Sequence, residues 1–364
     1  MNIGFVVYGS IDTLTGGYLY DKHMTEHLTV RGHRVDILSL PVKCHPFKFG
    51  DNFTSFLIRR VAEGGYDLLL QDELCHPSLF LLNHRLRRRV STPIVAVVHH
   101  LLCQEPRPRG LNSLLALPEA AFLDSVDGFI FNSRSTQQAV FQLSPAHRPF
   151  VVAQPGGDRF RNRISAAWIK ERSLQPGPLR LLYVGLVIER KGLLPLLEAL
   201  ADVDRNHWRL EVVGDTSLVP DYVWRVQQTI DAHGLASNVR LSGTLSKEAL
   251  AARFIDSHLL CMPFAYEGFG IVTLEAMNFG MPVLGSTNGA TPELVRYGGN
   301  GLLFDRGDLR ALAAAVRELH TDRRRLLGMS VAAHEAARVH PTWNESMQRI
   351  ERFLEGILKT SRYP

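Results

Sequence analysis

IGFVVYGSIDTLTGGYLYDKHMTEHLTVRGHRVDILSL, residues 3–40, holds one complete strand–helix–strand unit. Its first six residues, IGFVVY, are a short apolar run of β-branched and aromatic side chains, the composition of a buried strand. A glycine-bearing loop follows, then a helical stretch over 17–31 closed by Gly32, then a second strand, RVDILSL (34–40). Strands alternating with helices of this length pair in parallel, with helices covering both faces of the sheet.

The same rhythm continues outward. Strand-like runs recur at YDLLLQ (66–71), PIVAVVH (93–99), GFIFNS (128–133) and FVVAQ (150–154), separated by helix-like segments at 53–63, 77–89, 112–125 and 134–142. The pattern breaks over 155–178, PGGDRFRNRISAAWIKERSLQPGP, which is Pro/Gly-rich at both ends and basic between, as a linker would be. It restarts with LRLLYVG (179–185), RLEVVG (209–214), NVRLSG (238–243), HLLCMP (258–263), PVLGS (282–286) and GLLF (301–304), and a helical tail over about 308–360 follows. The expected fold is therefore α/β: two tandem doubly wound, Rossmann-like domains facing a deep cleft. Their expected bounds are 1–155 and 179–342, with a linker at 156–178 and a helix over about 343–364 packing back on the first domain.

Bulk properties narrow the class. A length of 364 residues favours two domains over one, and 45% hydrophobic with 21% charged residues is an ordinary globular balance. A formal charge of +5 fits an anionic ligand or membrane surface. The basic runs lack interleaved aromatics and any nucleic-acid motif, so no nucleic-acid partner is expected. Cys44, Cys75, Cys103 and Cys261 form no CxxC pair, the pattern of reduced thiols in a cytoplasmic protein. MNIGFVVYGS has no basic leader, and no apolar run approaches the ~20 residues of a membrane span.

Chemistry-bearing residues gather at the carboxyl ends of the expected strands, where ligands of open parallel sheets bind. Gly16-Gly17 open the first helix; this is either a structural turn or an approach for an anion to backbone N–H groups. In YVGLVIERKGLLPLLEAL (183–200), Gly185 ends a strand, and Arg190-Lys191 stand before a helix N-terminus. Cations are disfavoured there unless solvated or facing an anion such as a diphosphate. FAYEGFGIVTLEAMNFGMPV (264–283) sets Glu267 and Glu275 into apolar and glycine surroundings. Capping explains either acid singly and the pair poorly, because an unpaired carboxylate beside Leu274, Ala276 and Met277 is costly. Vicinal hydroxyls of a sugar or ribose would satisfy both. His99 and His100 follow the fourth strand; adjacent strand residues face opposite ways, so one of them turns to the cleft and a shared zinc is not expected.

These motifs, in this order, resemble the retaining nucleotide-sugar glycosyltransferases of family four, which have the GT-B fold. The resemblance covers TGGYLYDKHMTEHLTVRGHRVDIL (15–38), VDGFIFNSRST (126–136), YVGLVIERKGL (183–193), VRLSGTLSKEAL (239–250) and the long block 264–304. It implies that Glu275 binds the donor ribose and that Glu267 holds the transferred sugar. Gly268, Phe269 and Gly270 would supply backbone N–H groups, with Ile271 and Gly185 in the same donor set. Arg190 and Lys191 would neutralise the leaving diphosphate, Gly16 and Gly17 would approach the phosphates, and Thr244-Leu245 would meet the base. His99 best matches the family histidine near the reacting carbon, with His100 the other candidate.

The implied reaction is transfer of a hexosyl unit from a UDP- or GDP-sugar to an acceptor hydroxyl, by front-face displacement with retention and with neither metal nor cofactor. Glu267 as a covalent nucleophile is a second mechanism. An epimerase or phosphorylase on the same fold, or a non-catalytic nucleotide-sugar-binding protein, is the alternative function. The first-domain loops match no subfamily. Asp72, Glu73 and His100 are the candidate acceptor contacts. KCHPFKFGDNFTSFLIRR (43–60) mixes phenylalanine with Lys and Arg, so it either touches a membrane or packs on its own domain. The expected location is cytoplasmic, at most peripheral at the inner membrane face.

Overall fold

The computed structural model describes residues 1–13, 15–43, 47–105, 107, 110–145, 147–160, 164–305 and 307–362. Cys44, His45 and Pro46 of the 43–60 stretch, and residues 161–163 of the 155–178 stretch, lie outside the described residues. The chain divides into two compact units, one comprising Met1–Gly156 with the segment from Pro341 onward, the other Gly157–His340.

The first unit is built on strands β1 (Asn2–Tyr8), β2 (Arg34–Leu40), β3 (Leu68–Asp72), β4 (Ile94–Val98), β5 (Gly128–Phe131) and β6 (Phe150–Val152). They form one parallel sheet in the order β2-β1-β3-β4-β5-β6. Every residue of β3, β4 and β5 is buried, on both faces alike. Sheets covered on both sides need such unbroken apolar runs, which is why these strands read as blocks rather than as alternating patterns. The chain runs from β1 outward to β2, then returns to the other side of β1 as β3. That reversal opens a crevice at the carboxyl ends of β1 and β3.

The second unit repeats the plan with β7 (Leu179–Val184), β8 (Trp208–Val213), β9 (Val239–Leu241), β10 (Leu259–Met262), β11 (Val283–Ser286) and β12 (Gly301–Phe304), ordered β12-β11-β10-β7-β8-β9. Here the reversal falls between β7 and β10, so the loops after these two strands frame the crevice. Phe160, Phe254 and Phe279 meet ring to ring beneath them, with centroids 5.2–5.6 Å apart.

Three local expectations need correction. The supposed linker carries a helix, Ala166–Leu174, capped by Ser165. Its Ile169 is buried, and Arg172 is buried too, donating to the carbonyls of Phe254, Ile255 and Gly280. A basic run read as linker is here partly a set of donors for helix ends. The helix expected over 77–89 is broken into His76–Leu79 and Leu82–Leu86, because Asn52 Oδ1 accepts the N–H groups of both Leu81 and Leu82. The tail is three helices, Leu309–Thr321, Arg323–Arg338 and Trp343–Arg362. Asp322 ends the first and caps the second by accepting from the Arg325 N–H at 2.8 Å.

The last of these helices belongs to the first unit. Its Glu351 accepts from Arg31 (3.2 Å) and lies 3.1 Å from ring nitrogens of both His27 and His33. These partners hold the Glu351 carboxyl below its ordinary range although burial pushes the other way. Among the described residues, no helix is long and apolar enough to cross a membrane.

Candidate functional site

At the carboxyl end of β7 the chain passes Gly185, makes one tight turn over Glu189–Lys191 and enters the helix Leu193–Ala201 through Gly192. Gly192 has φ +77°, and a Cβ there would stand 2.2 Å from the Pro263 carbonyl oxygen. No other residue type permits that approach. The Ala265 N–H donates to the Arg190 carbonyl at 2.9 Å, joining the loop after β7 to the loop after β10.

This clamp sets Arg190 and Lys191 beside Glu267. The Lys191 ammonium is hydrogen-bonded to Glu267 Oε2, and an Arg190 guanidinium nitrogen is 3.9 Å from the same oxygen. Lys191 also lies over the Phe264 ring, 4.6 Å from its centroid. The Glu267 backbone is fixed from a third side, where its carbonyl accepts from the Ala290 N–H at 3.0 Å. There Gly289 (φ +70°) leaves only 2.1 Å between that oxygen and a notional Cβ.

Past Gly270, at φ +79°, the helix Ile271–Asn278 begins. Glu275 lies on its buried side, 3% exposed, and accepts from Arg159 at 2.8 Å. Burial raises the Glu275 carboxyl pKa; the charges of Arg159 and Lys247 oppose it. Arg159 was missed by the sequence reading. Its signal was present as a basic run ahead of Ser165, in a stretch read as linker. Phe269 is buried in the core, so its side chain packs while the flanking glycines shape the backbone. Gly185 approaches the same loop, since a Cβ on it would contact Met262 and the Lys191 stem. Gly243 (φ +65°), Thr244 and Leu245 sit at the end of β9, with Thr244 exposed.

In the first unit, Thr15 caps the helix Gly16–Val30. Gly17 is held close to His99: a Cβ there would meet the imidazole Cδ2 at 3.1 Å. His99 is 5% exposed, and its Nε2 is 3.0 Å from Asp21 Oδ1. Tyr20 packs edge-on against the same ring at 5.4 Å. His99 Nδ1 is buried and has no protein partner. Burial alone would lower the His99 pKa, but the Asp21 charge and hydrogen bond, with Asp72, raise it above its ordinary value. Asp72 is buried, and desolvation with the Asp21 charge lifts its carboxyl to about 7.

His100 turns the other way, to Glu105 at 3.1 Å, as alternation along an extended segment requires. Glu73 does not join Asp72. It is fully buried, with Oε1 2.8 Å from His76 Nδ1, and Glu119 Oε1 is 4.0 Å from the same nitrogen. A carboxylate with no exposed surface offers an acceptor nothing. Glu73, His76 and Glu119 each bring one ligand-type atom within 4.8 Å of the others, and His76 Nδ1 is also 3.1 Å from the Glu73 carbonyl oxygen.

Asp21 was not singled out in the sequence, where an acid on the first helix looks like any solvated one. Its replacement by Asn has a signed consequence. With the charge gone, burial dominates, and the His99 pKa is expected to fall below 6.5 instead of standing above it. The stabilisation that the Asp21–His99 pair gives is present below about pH 6.5 and is lost as pH rises through the folded pKa. Side-chain NMR titration of His99 in both proteins reads the shift; unchanged midpoints would show that Asp21 does not set the charge.

Both units are Rossmann-like, and the fold is GT-B. Residues 165–338 match the family described as glycosyl transferases group 1. A GDP-mannose-dependent alpha-(1-6)-phosphatidylinositol monomannoside mannosyltransferase of Mycobacterium tuberculosis is 29% identical over 179 residues, 47% of this chain and 46% of the relative. The chain thus matches about half the length of that curated relative. Sucrose-phosphate synthase from Thermosynechococcus elongatus has a TM-score of 0.84 at 20% identity, over 99% of both chains. The Anabaena protein HepE in complex with UDP and glucose has a TM-score of 0.77 at 20% identity, over 98% of this chain and 99% of that one.

Proposed function

We propose that this protein is a retaining glycosyltransferase that moves a hexosyl unit from a nucleoside-diphosphate sugar to an acceptor hydroxyl. The observation that carries the reading is the set of Arg190, Lys191 and Glu267 held together at the switch point of the second sheet. Two cations there meet a diphosphate and stabilise the charge that grows on it as the glycosidic bond breaks. Glu267 takes hydroxyls of the sugar, and Glu275 those of the ribose, each trading an intramolecular cation for a ligand hydroxyl. The departing phosphate accepts the acceptor's proton on the same face, which retains the anomeric configuration. His99, whose Nδ1 is buried with no protein partner, is the first unit's candidate residue for the reaction. Because Arg190 and Lys191 carry the compensating charge, the proposed reaction needs no metal. UDP and GDP sugars are the donors of choice: the mannosyltransferase relative is GDP-mannose-dependent and the HepE structure holds UDP.

A panel of UDP- and GDP-sugars tests this by nucleotide release, with candidate acceptors and with a chelator. One donor should release nucleotide well above the rest, chelator should leave the rate unchanged, and the product should keep the donor's anomeric configuration by NMR. No release from any donor, an inverted linkage or a strict requirement for added Mg²⁺ would each overturn the corresponding part.

A further inference from the structure

We propose that Glu73, His76 and Glu119 hold a divalent transition-metal ion, zinc by their ligand chemistry, in the interior of the first unit. Glu73 and His76 stand in the turns that follow β3, and Glu119 lies on the helix Leu111–Asp124. One ligand atom of each falls within 4.8 Å of the other two. Glu73 and Glu119 have no exposed surface and His76 has almost none, so the cluster is closed to a sugar. It is separate from Arg190, Lys191 and Glu267, which belong to the second unit. One imidazole with carboxylates suits zinc; calcium and magnesium ask for more oxygens or for retained water.

Charge balance is the reason to expect a cation. Two carboxylates taken out of water are costly unless something compensates them. Among the described residues, no lysine or arginine is ion-paired with either one, and His76 is the group within reach. Three oxygens crowd its Nδ1: Glu73 Oε1 at 2.8 Å, the Glu73 carbonyl at 3.1 Å and Glu119 Oε1 at 4.0 Å. An imidazole nitrogen carries at most one proton, so it cannot answer all three. Both Glu73 carboxylate oxygens are buried with no hydrogen-bond partner among the described residues. A doubly charged ion cancels the two carboxylates and takes the lone pair of an unprotonated Nδ1.

The spacing fits. Ligand atoms at tetrahedral zinc stand about 3.3–3.5 Å apart. The 2.8 and 4.0 Å separations from Nδ1 bracket that span, so small rotations of the two carboxylates close the site. Glu119 is already oriented, since its two oxygens accept from the N–H groups of Leu102 and Cys103. Outer hydrogen bonds of this kind aim ligating carboxylates. The turn Leu102–Gln104 also packs on the helix that carries Glu119. The ion would therefore tie the turns after β3, the turn after His99-His100 and the helix Leu111–Asp124 together at one point. Its role is to hold these segments, independently of the transfer chemistry.

Elemental analysis of the tag-free full chain, produced in medium containing Zn²⁺ and Mn²⁺ and dialysed against EDTA, tests this. About one zinc per chain should remain and be released only on denaturation. Chain refolded with chelator should melt at a lower temperature than chain refolded with Zn²⁺. Glu73→Gln and Glu119→Gln keep the shape and remove the charge, so each should lose most of the metal. Zinc-edge X-ray absorption of the wild type should show nitrogen and oxygen ligands without sulfur. Manganese in place of zinc would support the same site with another ion of equal charge. Wild type that holds neither metal and melts equally after both refoldings overturns the proposal, leaving the two carboxyls to share a proton. Metal kept in full by both variants, or a sulfur ligand, puts the ion elsewhere and overturns it too. Should either variant fail to fold, the metal content and ligand spectrum of the wild type decide.

Discussion

Lys191→Ala should lower the turnover of the proposed transfer by about 10²–10³-fold, the loss typical of removing one preorganised donor to a developing charge. The effect should fall on kcat more than on KM, since the diphosphate gains charge only as the sugar departs. Folding should be much less affected. Lys191 is 15% exposed, and Glu267 keeps Arg190 at 3.9 Å when the ammonium is gone. Lys191→Arg is the informative companion. It restores charge with a different shape, so partial recovery separates a need for any cation from a need for an ammonium at this point. Stopped assays under donor saturation, with melting curves on the same preparations, measure both. Wild-type turnover in Lys191→Ala would remove this residue from the chemistry.

Gly192→Ala should be a strongly damaging single-methyl change in the second unit. Two costs add. The αL backbone at φ +77° penalises any Cβ by about 1–2 kcal/mol. The notional Cβ also lies 2.2 Å from the Pro263 carbonyl, and relieving such overpacking costs about 1–3 kcal/mol more. Relief means parting the loops after β7 and β10, which moves Arg190 and Lys191 away from Glu267, so activity should fall together with stability. Gly298→Ala is the control. Gly298 has φ +75° and open space around it, so that change should cost only about 1–2 kcal/mol from the backbone. Chemical denaturation of the two variants gives the difference directly. Equal losses would mean that the loops part easily and that the clamp described above is weak.

The parallel sheets were readable because both faces of each are covered, which leaves apolar blocks such as LLLQD and IVAVV that survive any detail of register. Helix limits in the 77–89 stretch were not readable, because they depend on Asn52, a side chain far away in sequence. The candidate site divides in the same way. Arg190, Lys191 and Glu267 were each visible as residues out of place: cations at a helix start and an acid among glycines. The partners that resolve them across distance were not. Arg159 reaches Glu275 across 116 positions, and Asp21 reaches His99 across 78. Each looks ordinary in its own neighbourhood, so only the folded chain shows its use.

The helix Trp343–Arg362 follows the second unit in sequence, yet it is a component of the unit that contains Met1–Gly156. Its Ile350 and Leu354 are buried there, and Glu351 is tied to Arg31 on the first helix. On a ribosome, the first unit would thus stay incomplete until residues 343–362 have cleared the exit. Until then the surface meant for this helix is bare, and the unit must wait for the other to be made. The order of synthesis and the order of completion are opposed in this molecule, and a stop codon placed near residue 340 would spoil the domain farthest from it in sequence.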